Sequence, residues 1–136
     1  MDKPPKIPPQ IIAAPKIRSI YWCHFWKDAI LPEMWKKRPV IVVSYLNTLS
    51  GPCSVLALST DPQEGLSEKW AYKLPFQVEK GRDSWVVCNH IYTVSPSRLE
   101  QVGGVVPRLD EASFNKVLEK LFGWLPKIPD PTLDLN

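Results

Sequence analysis

The chain has 136 residues, 44% of them hydrophobic and 23% charged, with a formal net charge of +3. That length suits one domain with a single core, and the composition excludes a disordered, collagen-like or disulfide-scaffolded chain. Residues 1–40 carry eight basic against three acidic side chains and the remainder nine against eleven, so an anionic partner is expected, nucleic acid first, with a solvated basic face as the plainer reading.

Residues 1–19 hold five of the fifteen prolines, alternating with Lys and Ile, and read as an extended, polyproline-like basic arm. Its Ile7, Ile11 and Ile12 either follow a surface or move freely, and mobility is expected at the extreme end. Ser19 to Phe25 is a β-branched and aromatic run typical of a first strand. Residues 26–37, with Pro32, form a long loop. Pro39 to Ser44 reads as a fully buried strand, with proline at the position where a missing donor does least harm. Turn residues from Asn47 to Pro52 lead to a strand at Ser54–Leu58. Trp70 to Val78 contains Pro75, which marks an edge strand or bulge. A turn at residues 79–83 precedes a strand from Trp85 to Val94.

One helix is expected after Leu109. Asp110 is its N-cap, Glu111 suits the first turn, and Phe114, Val117, Leu118, Leu121 and Phe122 mark an apolar face. Pro126 stops it, and residues 126–136 form an irregular tail. The pattern is mainly β: a domain over 20–125, barrel or half-barrel, with a C-terminal amphipathic helix packed on it.

Three cysteines with no Cys-x-x-Cys pair read as buried free thiols. Cys23-His24 and Cys88-x-His90 do not supply four ligands at a recognised spacing, so no metal or cofactor is expected. The start of the chain lacks a signal-peptide pattern, and no apolar run approaches about 18 residues. A cytoplasmic protein without membrane contact is the expectation.

The chemistry concentrates where the long loop enters the apolar strand Val40-Ile41-Val42-Val43. There the sequence places Glu33, the basic run Lys36-Lys37-Arg38 and the rings of Trp26 and Trp35. A carboxylate can move a proton, and a guanidinium can hold a phosphate whose charge grows during reaction. The structural alternative is an ion pair of Arg38 with Glu33 or with a C-terminal carboxylate. Ser59 and Thr60 can donate to phosphate or close an ST-turn before Pro62. His90 and His24 are the only imidazoles, each a candidate near neutral pH or a hydrogen-bonded structural histidine. Trp26 and Trp35 can stack unpaired bases, worth about 1–3 kcal/mol per base, whereas Trp22 and Trp85 suit packing.

Glu33-x-x-x-x-Arg38-Pro39-Val-Ile-Val-Val resembles the Glu-Gln-x-Gly-x-Arg-Pro signature of the PemK/MazF toxin family. Two further stretches match in order: Val55–Thr60, and Arg82 to Leu99 with its His90-Ile91-Tyr92-Thr93 and Arg98-Leu99. The resemblance implies an SH3-like β barrel, usually a homodimer. It also implies a metal-independent endoribonuclease that cuts single-stranded RNA and is blocked by an antitoxin. By position Glu33 and Arg38 match the catalytic acid and arginine, and Ser59 or Thr60 the phosphate-contacting hydroxyl. Trp35, Lys36, Lys37, His90 and Tyr92 become candidate RNA contacts. Lys36 stands where the pattern has glycine, and Tyr92 where its Gln-Ile-Arg-Thr has arginine, so Tyr92 is offered as a replacement that stacks a base or donates to phosphate. A related toxin group of the same fold poisons DNA gyrase by protein contact, so a non-catalytic binder is the alternative.

Overall fold

A computed structural model describes residues 3–130. Six strands form one antiparallel sheet: β1 Ile20–His24, β2 Lys37–Val42, β3 Cys53–Ser59, β4 Ala71–Lys73, β5 Trp85–Val94 and β6 Leu99–Gln101, in the spatial order β4-β5-β3-β2-β1-β6. Short 3₁₀ turns at Gly65–Trp70 and Pro96–Arg98 precede the two outer strands, and α1 spans Glu111–Trp124. Among the described residues no pairing joins β4 to β6, so the sheet keeps two edges. The expected Trp70–Val78 strand is a three-residue edge strand, cut short before Pro75, whose ring removes a ladder donor.

The central strands are buried on both faces, which is why Val40–Val43 does not alternate with polar residues. On the first face Tyr21, Cys23, Val40, Val42, Val55 and Ala57 pack with Phe25 and Met34 from the β1–β2 loop and with Ile11 from the arm. On the second, Ile20, Ile41, Leu56, Leu58, Val86 and Cys88 lie beneath Phe114, Val117 and Leu121 of α1. The Asp110 carboxylate accepts from the Ser113 N–H at 2.9 Å, capping the helix as its sequence indicated. Phe122 departs from the expected apolar stripe: it is 57% exposed, because the contact surface is narrower than the run of apolar residues.

The arm is tied down over the described part of its length. Ile11 is 5% exposed, the Ser97 hydroxyl donates to the Ile7 carbonyl, and Asn47 Nδ2 donates to the Pro15 carbonyl at 3.0 Å. Ile7 and Ile12 remain exposed. Of the extreme end where mobility was expected, residues 1 and 2 lie outside the described residues.

A break in the β3–β5 ladder positions the site. Leu56 pairs with Ile91 but Leu58 with Val86, so Val87–His90 stand opposite Ala57 alone. This insertion switches faces: Val86 and Cys88 belong to the helix side, whereas Tyr92 and Val94 belong to the other.

Candidate active site

The β1–β2 loop is closed at its neck by the Phe25 N–H, which donates to the Lys36 carbonyl at 3.0 Å. Lys36 turns the chain with φ of 66°, a left-handed conformation that costs a residue with a Cβ on the order of 1–2 kcal/mol. The backbone thus takes the glycine-like shape of the family pattern although the residue does not. Within the loop Glu33 Oε1 accepts from the Ile30 N–H at 2.7 Å, and the Glu33 N–H donates to the Ile30 carbonyl at 2.9 Å.

Arg38 sits half-exposed at the mouth of β2. Its Nε donates to the Trp35 carbonyl at 3.0 Å, and its guanidinium carbon lies 5.7 Å from the centre of the Trp35 ring. Lys36 Nζ lies 4.0 Å from the same ring, which is 42% exposed, so Trp35 carries two cations at an open surface. Arg38 makes no ion pair among the described residues, and its terminal nitrogens face no protein acceptor. The Arg38–Glu33 pair that the sequence left open does not form. Each is held by its own part of the loop.

Lys37 and His24 instead share Glu100, at 2.8 and 3.1 Å. Hydrogen bonds from Lys37 first and His24 second hold the Glu100 carboxyl below its ordinary value. Lys37 therefore brings less free charge to the surface than Lys36.

β2 pairs with β3 through Val40–Ala57, Ile41–Leu56 and Val42–Val55, and that pairing stops two residues short of Arg38 and Ser59. Ser59 Oγ accepts from the Asp61 N–H at 3.1 Å, the ST-turn foreseen as its alternative, and its own proton remains free to donate. Thr60 beside it is half-exposed. Next to Ser59 opens a cleft of about 440 Å³, lined also by Met34, Gln63, Trp70, Asn89 and His90. His90 reaches it from the inserted segment of β5. Its Nδ1 is buried without a hydrogen-bond partner among the described residues, and burial pushes the imidazole pKa down.

Tyr92, expected as an RNA contact, is half-buried against the β1–β2 loop. Its hydroxyl accepts from the Met34 N–H at 2.8 Å, and its ring lies 5.1 Å from Phe25 and 5.6 Å from Trp26. Trp26 in turn lies 5.3 Å from the Arg98 guanidinium, which donates to the His24 carbonyl at 2.9 Å. Gln63, Trp70 and Met34 are cleft residues that the sequence did not single out. The only hint was that Gln63 and Trp70 follow the Ser59-Thr60-Asp61-Pro62 turn. Among the described residues, no three His, Cys, Asp or Glu side chains converge to hold a metal ion, and no helix is long and apolar enough to cross a membrane.

A six-stranded antiparallel sheet backed by one C-terminal helix, with an arginine at the head of an inner strand, defines a mainly β fold of the MazF type. The crystal structure of MazF (Form-I) from Deinococcus radiodurans superposes with a TM-score of 0.65 at 18% identity, covering 81% of this chain and 94% of that one. An endoribonuclease in complex with its cognate antitoxin from a mycobacterial species gives a TM-score of 0.57 at 19% identity, covering 85% of this chain and all of that one. No curated protein sequence matches. Residues 16–125 match the family described as PemK-like, MazF-like toxin of type II toxin-antitoxin system, and the chain belongs to that family.

Proposed function

We propose that this protein is a toxin-like endoribonuclease that cleaves single-stranded RNA by attack of the 2′-hydroxyl, with protein side chains rather than a metal ion supplying the charge and the protons. The observation that carries this reading is Arg38: a half-exposed guanidinium held at Nε by the Trp35 carbonyl, with its terminal nitrogens unbonded among the described residues. A planar fork suits two phosphate oxygens, and a preorganised cation counts most where the phosphorus centre gains charge. As the 2′-oxygen bonds to phosphorus it loses its proton, and the 5′-oxygen leaves with one. Glu33, whose second oxygen is free, moves a proton. Ser59 and Thr60 hold phosphate oxygens, while Trp35 and Lys36 receive a neighbouring base and phosphate and Lys37 contributes more weakly. His90 borders the cleft beside Ser59, its imidazole pKa held below the ordinary value by burial.

The partners follow from the family. An endoribonuclease of this fold occurs with its cognate antitoxin, and we assign this chain an antitoxin of its own. A homodimer would cover Phe122 and Trp124, which are 57% and 48% exposed at the end of α1. The cytoplasm is where such a protein meets mRNA.

The test is incubation of the purified protein with a long single-stranded RNA in EDTA. Fragments with 5′-hydroxyl and 2′,3′-cyclic phosphate ends, absent with Arg38→Ala, are expected. Intact RNA in the presence and absence of added divalent cation overturns the reading and leaves a binding protein of the same fold.

A further inference from the structure

Tyr92 occupies the strand position where the family pattern carries an arginine, and it faces inward. The Met34 N–H donates to its hydroxyl at 2.8 Å across 58 residues of sequence, and Met34 directly follows Glu33. Phe25 and Trp26, at the other end of the same loop, pack on its ring at 5.1 and 5.6 Å. One side chain therefore grips both limbs of the loop, just inside the neck that the Phe25–Lys36 backbone bond closes.

We propose that Tyr92 is a positioning residue, holding the β1–β2 loop so that Glu33 is presented to the reacting phosphate, and that it makes no contact with RNA. This rests on the nuclease reading for what the loop does, but not for the tether itself. Three features support it. The loop lacks a glycine, so it has no intrinsic hinge, yet it has no regular secondary structure between Phe25 and Lys36 to fix its course. Met34 is buried while Glu33 and Trp35 on either side are exposed, so the Met34 anchor sets where its neighbours project. A phenol donates or accepts but carries no charge, so it cannot supply the cation that an arginine brings to phosphate, whereas its reach and rigid ring suit a fixed backbone contact. A guanidinium offers donors only and could not accept from the Met34 N–H. The arginine of the family pattern and this tyrosine are therefore alternatives with different jobs.

The experiment compares the full-length protein with Tyr92→Phe and Tyr92→Arg in two measurements. Tyr92→Phe keeps the ring packing and deletes only the hydroxyl. Amide hydrogen exchange at Met34 is expected to accelerate in Tyr92→Phe while β3 and β5 amides stay protected. In RNA cleavage, kcat is expected to fall tenfold or more with KM unchanged, since a displaced catalytic group can cost up to about 10²-fold in rate. Tyr92→Arg is expected to accelerate Met34 exchange as well. Unchanged Met34 exchange in Tyr92→Phe overturns the proposal, as does a rise in KM with kcat retained, the mark of a direct RNA contact. If the parent protein leaves RNA intact, the nuclease reading falls, and exchange at Met34 alone still decides whether Tyr92 holds the loop.

Discussion

Arg38 bonds the Trp35 carbonyl through Nε, 3.0 Å away, and among the described residues the outer edge of its fork has no protein partner. An arginine anchored by its inner nitrogen is oriented without being neutralised, the condition a transition-state cation needs. Replacement by alanine is expected to lower RNA cleavage by about 10²–10³. Arg38→Lys keeps the charge but loses both the Nε anchor and the fork, so it is expected to restore only a minor part of the rate. Single-turnover cleavage of a defined RNA, with circular dichroism as a control for folding, checks both.

Lys36 sets two effects against each other. Its left-handed backbone is strained, so Lys36→Gly is expected to leave stability unchanged or raise it by about 1 kcal/mol. The same change removes a cation beside an exposed ring, and RNA affinity is expected to fall with a shallower salt dependence. Urea unfolding and binding titrations at two salt concentrations separate the two outcomes.

His90 makes stability depend on pH. Its folded-state pKa lies below the ordinary value because burial disfavours the charged ring. The unfolded chain therefore binds the proton more readily, and stability is present above the unfolded pKa and lost as pH falls through the folded one. His90→Gln is expected to flatten the fall in unfolding free energy between about pH 7 and pH 5, the range bracketing an ordinary histidine. Denaturant unfolding across that range is the measurement.

The helix offers a paired comparison. Phe114 is 3% exposed against the sheet, so Phe114→Ala is expected to cost about 3–5 kcal/mol. Phe122→Ala, at a side chain 57% exposed, is expected to stay within about 0.5 kcal/mol in the monomer. A loss at Phe122 that depends on protein concentration would instead report the proposed dimer contact.

Much of this arrangement was legible in the chain. The run from Trp85 to Val94 announced β5 to its end residues, because β-branched and aromatic side chains were bounded by clear turn chemistry. Asp110 marked the helix start in the same way. β6 was not legible, since three residues carry no periodicity of their own and form a strand only by pairing with β1. Nor was the burial of Ile11, which depends on a sheet face that local sequence does not describe. At the site, Arg38, Glu33 and Ser59 were nameable from a motif. The separate anchoring of Glu33 and Arg38 was not, because it follows the backbone course of an irregular loop, and the Tyr92–Met34 bond was not, because it joins residues 58 apart in sequence.

The three cysteines lie on opposite sides of the sheet: Cys23 and Cys53 under the arm, Cys88 under the helix. Burial lifts their thiols to about 12, 11 and 12, so in the native fold they are protonated as well as shielded. Alkylation must then wait for one cover or the other to lift. Residue-resolved labelling with iodoacetamide would time the departure of the arm at Cys53 and of the helix at Cys88 independently, using clocks the protein already contains.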